Sequence, residues 1–110
     1  MKNKYIQAIA NIEGKTIDFY KWPDGTETPD MLIASAIFLC MLDGIIQPKT
    51  IAKKIAEPIE AVQHVYENLI EAGYIKNNKI VFHIKNNTKE EWVREYYLFS
   101  LAGLGVLKKC

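Results

Sequence analysis

Hydrophobic and polar positions alternate from residue 5 to residue 22, around Gly14-Lys15. With those two residues as a hairpin loop, glycine leading as a type II′ turn prefers, Ile12 faces Ile17 and Ala10 faces Phe19. One face then carries Ile6, Ala8, Ala10, Ile12, Ile17 and Phe19. The other carries Gln7, Asn11, Glu13, Thr16 and Asp18. A helix over 3–13 ending at Gly14 is the competing reading, since Ile6, Ile9 and Ala10 also suit a helical stripe. Trp22-Pro23-Asp24-Gly25 then reads as a turn.

Beyond that turn the period becomes helical. Each of three starts carries a proline at the first helical position, where its missing N–H costs nothing. Thr28-Pro29-Asp30 opens the first, with Thr28 as N-cap and Asp30 favourable to the dipole. That helix runs to about Asp43 and stops at Gly44. Gln47-Pro48 opens a short second helix through about Ala56. Glu57-Pro58 opens a third, which runs to Ala72 and stops at Gly73.

Tyr74–Lys85 reads as a second hairpin. Its turn is Asn77-Asn78, residues that tolerate positive φ. Ile80, Phe82 and Ile84 alternate there with Val81, His83 and Lys85. Thr88-Lys89-Glu90-Glu91 is a capping-box pattern ahead of a last helix through about Ala102. The fold class is therefore α+β.

Composition narrows the function. The chain has 110 residues, 14 Lys+Arg against 13 Asp+Glu, a net charge of +1 and 49% apolar residues. One domain fits that length. The balance argues against a disordered chain and against a strongly basic nucleic-acid coat. Two cysteines exclude a disulfide scaffold. Cys40 sits in an apolar run and reads as a small buried hydrophobe; Cys110 reads as exposed and incidental. The apolar run Met31–Leu42 is far short of the ~20 residues that a membrane helix needs. No signal-peptide pattern opens the chain, so a soluble, cytoplasmic protein with no membrane partner is expected.

Helix, short helix, turn, helix, hairpin is the order of a winged helix. Thr50-Ile51-Ala52-Lys53-Lys54-Ile55-Ala56-Glu57-Pro58-Ile59-Glu60-Ala61-Val62 resembles the first half of a helix-turn-helix. Val62, Tyr66 and the ending Leu69-Ile70-Glu71-Ala72-Gly73-Tyr74-Ile75 resemble its second half and the entry into the wing. Val62, Tyr66 and Leu69 share a helix face, against which Ile51 and Ile55 can pack, with Ile75 anchoring the wing. On these residues the chain resembles the winged helix-turn-helix superfamily of small prokaryotic, phage or plasmid regulators. The implied layout is an N-terminal hairpin and turn at 1–28, a winged-helix core at 29–85, and a C-terminal helix and tail at 86–110.

The resemblance implies double-stranded DNA as partner, and transcription regulation as the role. The outward face of the third helix carries Glu60, Ala61, Gln63, His64, Glu67 and Asn68. Of these, Gln63, His64 and Asn68 are the candidate base contacts. Lys49, Thr50, Lys53 and Lys54 on the short helix, and Lys76 and Lys79 beside the wing tip, are the candidate phosphate contacts, with Lys85 nearby. The third helix itself holds carboxylates and no Lys or Arg, and Arg94 is the sole arginine. That supports an alternative reading, a winged-helix module binding a protein partner in a replication or phage complex through its acidic third helix.

Two helices are more apolar than one core stripe needs: Met31–Leu42, and the last helix with Trp92, Val93, Tyr96, Tyr97, Phe99, Leu101, Leu104 and Leu107. One reading is an intramolecular core. The other adds a homodimer seam built from Trp92, Tyr96, Tyr97 and Phe99. Neither a metal-ligand spacing nor a Gly-rich phosphate loop ahead of a helix occurs, so no cofactor and no enzyme activity are expected.

Overall fold

Thr28 starts the helical part of the chain. In a computed structural model, which describes residues 9–12, 15–18 and 28–105, its hydroxyl accepts from the Met31 N–H at 3.2 Å. Helix α1 runs Pro29–Leu42 and ends at Asp43, with Gly44 at φ +83° taking the left-handed position after it. The second helix, α2, runs Pro48–Ile55. It ends on Ala56 at φ 59°, an alanine holding a conformation that glycine adopts more cheaply. Helix α3 runs Ile59–Glu71. Tyr74 donates its N–H to Leu69 O at 2.9 Å while Gly73 sits at φ +87°, which closes the helix.

One helix start differs from the sequence expectation. Pro58 is the N-cap of α3, not its first residue. Its ψ of 141° is extended, and its carbonyl accepts the first helical bonds, from Ala61 and Val62. Proline fixes φ alone, so its ring suits the cap as well as the first turn.

The chain then turns into a hairpin of β3 (Ile75–Lys76) and β4 (Lys79–Ile80). Ile75 pairs with Ile80 and Lys76 with Lys79. Asn77 and Asn78 form the loop at φ 54° and 60°, both positive as a type I′ turn requires. The ladder is much shorter than the expected Tyr74–Lys85 hairpin. Val81 donates to Tyr74 O at 2.8 Å, and then α4 takes over from β3 as the partner. Helix α4 runs Lys89–Gly103. The His83 N–H donates to Glu95 Oε1 at 3.2 Å, and the Lys85 N–H to Glu91 Oε2 at 3.2 Å. Two carboxylates four residues apart, on one face of α4, thus replace a neighbouring strand. Glu91 also completes the expected capping box with Thr88.

At the N-terminal end, β1 (Ile9–Ile12) pairs antiparallel with β2 (Lys15–Asp18). Ile9–Ile12 is strand, so the alternative helix is not adopted there. The register sets Ala10 opposite Ile17 and Ile12 opposite Lys15. The sequence reading is therefore off by two residues, with Lys15 in the ladder instead of the loop. Such a shift preserves both faces, so the apolar pattern does not distinguish the two registers. The expectations for Ile6, Ala8, Gly14, Phe19, the Trp22–Gly25 turn, Leu107 and Cys110 lie outside the described residues.

Helix α1 is buried along nearly its whole length, from Met31 to Met41. Its main neighbour is α4, with α3 on another side. Phe38 collects the packing: ring centroids of Phe82, Tyr96 and Phe99 lie 5.5, 5.4 and 5.2 Å away, all edge-to-face. The α1–α4 contact is tight at Gly103, where an added Cβ would stand 2.5 Å from Ala34 Cβ and 3.1 Å from Val65 Cγ1. Among the described residues no helix is long and apolar enough to cross a membrane.

Candidate functional site

Helix α2 buries Ile51, Ala52 and Ile55 and leaves Lys49, Thr50, Lys53 and Lys54 exposed. Lys49 and Lys53 lie on one face, a turn apart. Lys53 and Lys54 also occupy the last turn, where cations suit the helix dipole. Helix α3 buries Val62, Val65, Tyr66 and Leu69 in the same core as Ile51, Ala52 and Ile55. Its exposed side holds Glu60, Gln63, His64, Glu67 and Glu71. Ile59 and Ile70 are also exposed, at 37% and 48% of their surface.

Tyr66 organises the neighbourhood. Its hydroxyl lies 3.0 Å from Ile46 O and 3.3 Å from Asn78 Oδ1, with its one proton shared between them. Ile46 precedes α2 and Asn78 is in the hairpin loop, so three segments meet at one oxygen. Burial pushes the Tyr66 hydroxyl pKa up, which keeps that proton in place. Lys76 and Lys79 are exposed and stand directly opposite one another in the ladder. Like charges in that relation repel, and a phosphate between them would relieve the repulsion. Behind the hairpin, an open cleft of about 660 Å³ lies between Ile70, Gly73 and Val81, with Lys76 at its edge.

Two sets of expected residues are placed elsewhere. Asn68 does not join the outward face: its Nδ2 donates to Gly103 O at 2.9 Å, which turns the amide toward the end of α4. Trp92, Tyr96 and Phe99 are 6%, 1% and 1% exposed within the chain itself. They pack around Phe38, Phe82 and Tyr74 and are not available as a dimer seam. Of that set only Tyr97 is half-exposed. The reason is the apolar surface of α1, which needs α4 as its cover.

The sequence reading overlooked Glu95, Tyr66 as a polar anchor, and the Ser35–Ser100 pair. Glu95 is 3% exposed, a charged residue within the buried side of α4. Cys40 behaves as expected, buried with its thiol pKa pushed up mainly by desolvation. Among the described residues no group of three or more His, Cys, Asp or Glu side chains is arranged to hold a metal ion.

Comparison with protein-family models, with curated proteins and with solved structures finds no match for the chain.

Proposed function

We propose that the chain binds double-stranded DNA as a small winged-helix regulator. The observation that carries this reading is the shared Tyr66 hydroxyl. It brings the turn before α2 and the hairpin loop to one oxygen, with Lys49 following that turn and Lys76 and Lys79 flanking that loop. Lys49, Thr50, Lys53, Lys54, Lys76 and Lys79 hold phosphates, which supplies affinity without regard to sequence. Gln63 and His64 remain as base contacts; Asn68 is spent on α4. The reading does not rely on a dimer through Trp92, Tyr96 and Phe99.

A fluorescence titration with mixed-sequence duplex at two salt concentrations tests it. Affinity is expected to fall steeply with salt, and Lys53→Glu/Lys54→Glu to weaken binding to every sequence alike. No binding at low salt, or binding indifferent to salt, overturns the reading.

A second reading is favoured by α3 itself, whose sequence holds Glu60, Glu67 and Glu71 and no Lys or Arg, with Ile59 and Ile70 exposed. In it, α3 docks a protein partner. That partner is lost in Glu60→Lys/Glu67→Lys, and DNA is not bound.

A further inference from the structure

Among the described residues, the segment from Ile80 to Ile84 has hydrogen-bond partners along one edge only. The N–H groups of Val81, His83 and Lys85 all point inward, to Tyr74 O, Glu95 and Glu91. In an extended chain, successive N–H and C=O groups point to opposite sides. The backbone groups of Ile80, Phe82 and Ile84 therefore line the other side. Among the described residues no hydrogen bond to the Phe82 or Ile84 backbone is found, and β4 pairs with β3 alone. The side chains of Phe82, Ile84 and Lys85 also border a cleft of about 330 Å³, together with Asn87 and Trp92.

We propose that this edge accepts an extended acidic segment of a partner protein as an added strand. Strand addition draws affinity from main-chain bonds and specificity from side-chain pockets along the edge. Here the pocket is the Phe82–Ile84–Trp92 cleft, which takes an apolar side chain. The outward side chains of the strand are Lys79, His83 and Lys85, all exposed, with Lys89 close by in sequence. No carboxylate lies on this strand, so the incoming strand matches it with acidic residues at alternate positions. A second copy of this chain fits poorly. Antiparallel pairing about Phe82 would set Lys79 of each copy against Lys85 of the other, a repulsive arrangement.

The test uses amide hydrogen exchange on the full chain, with a capped peptide of about seven residues that alternates Glu with Val and Leu. In the free protein, the Phe82 and Ile84 amides should exchange faster than those of Val81 and His83. Peptide should slow Phe82 and Ile84 by roughly ten-fold or more and leave His83 unchanged. A peptide with Lys in place of Glu should bind at least several-fold more weakly, and Lys85→Glu should invert that order. The inversion is a readout that simple unfolding does not produce. The proposal is overturned by Phe82 and Ile84 amides that excess peptide does not slow. It is equally overturned by protection that appears with protein concentration alone, which marks a second copy, or with mixed duplex DNA in place of peptide.

Discussion

The hydroxyl oxygens of Ser35 and Ser100 lie 3.0 Å apart in the middle of the α1–α4 contact. Ser35 Oγ is also 2.9 Å from Met31 O, and Ser100 Oγ 2.8 Å from Tyr96 O. Two protons thus serve three short contacts, each hydroxyl having one to donate. When either serine is lost, the survivor still has its own carbonyl. Ser35→Ala and Ser100→Ala should each cost about 1 kcal/mol, and the double variant less than their sum. Urea denaturation of the four proteins in the cycle measures the coupling, and strict additivity would contradict the shared-proton arrangement.

Gly103 sets the closeness of the same crossing. A methyl group there meets the Ala34 Cβ and Val65 Cγ1. Gly103→Ala should destabilise by about 1–3 kcal/mol, as overpacking does. Pairing it with Ala34→Gly should return part of that loss. A neutral single variant in thermal melts would mean that the helices separate freely.

The turn between α2 and α3 holds Ala56 at a positive φ. A left-handed residue with a Cβ carries a strain of roughly 1–2 kcal/mol. Glycine removes that strain and gives some back as unfolded-state entropy. Ala56→Gly should therefore raise stability by about 0.5–1 kcal/mol, read as a higher denaturation midpoint with unchanged slope.

Glu91 gives a pH dependence with a definite sign. Desolvation pushes its pKa up. The backbone N–H groups of Asn86, Thr88 and Lys85, with the charge of Arg94, outweigh that and bring it below its ordinary 4.5. A carboxylate depressed on folding stabilises above its unfolded pKa and loses that contribution as pH falls through the folded value. Melting temperature should thus drop below about pH 4.5. Glu91→Gln should be less stable at neutral pH and show a shallower acid limb. Parallel acid limbs for the two proteins would remove Glu91 as the cause.

Tyr66→Phe deletes the oxygen at which Ile46 and Asn78 meet. It should cost about 1 kcal/mol and speed amide exchange around Asn77 and Asn78, while Val62 and Leu69 stay protected. The same variant should lower DNA affinity in the proposed reading, because Lys76 and Lys79 lose their fixed relation to α2.

What the sequence reveals here is what is decided locally. Thr28, Pro29, Gly44, Gly73, Asn77-Asn78 and the Thr88–Glu91 box each act within a turn of their own position, and the elements they mark are where they were expected. Two misses are local, the Pro58 cap and the two-residue slip of the β1–β2 register; the others are tertiary. Asn68 has a helical phase that fits the outward face, and only the arrival of Gly103 beside it decides otherwise. The long hairpin is cut short by carboxylates that lie twelve and six residues beyond the amides they accept from. Trp92, Tyr96 and Phe99 look equally suited to a seam or a core; the ring of Phe38 settles the place of Tyr96 and Phe99, and that of Phe82 the place of Trp92. The candidate lysines are exposed, as their charge alone dictates.

The burial of α1 has a consequence for how the chain is made. Its apolar surface is synthesised well before α4, the element it packs against most extensively. Until Lys89–Gly103 leaves the ribosome, Met31–Leu42 is an adhesive segment without its cover. Nascent or truncated chains ending before α4 should therefore need chaperones and collect in inclusion bodies, whatever their remaining elements can form.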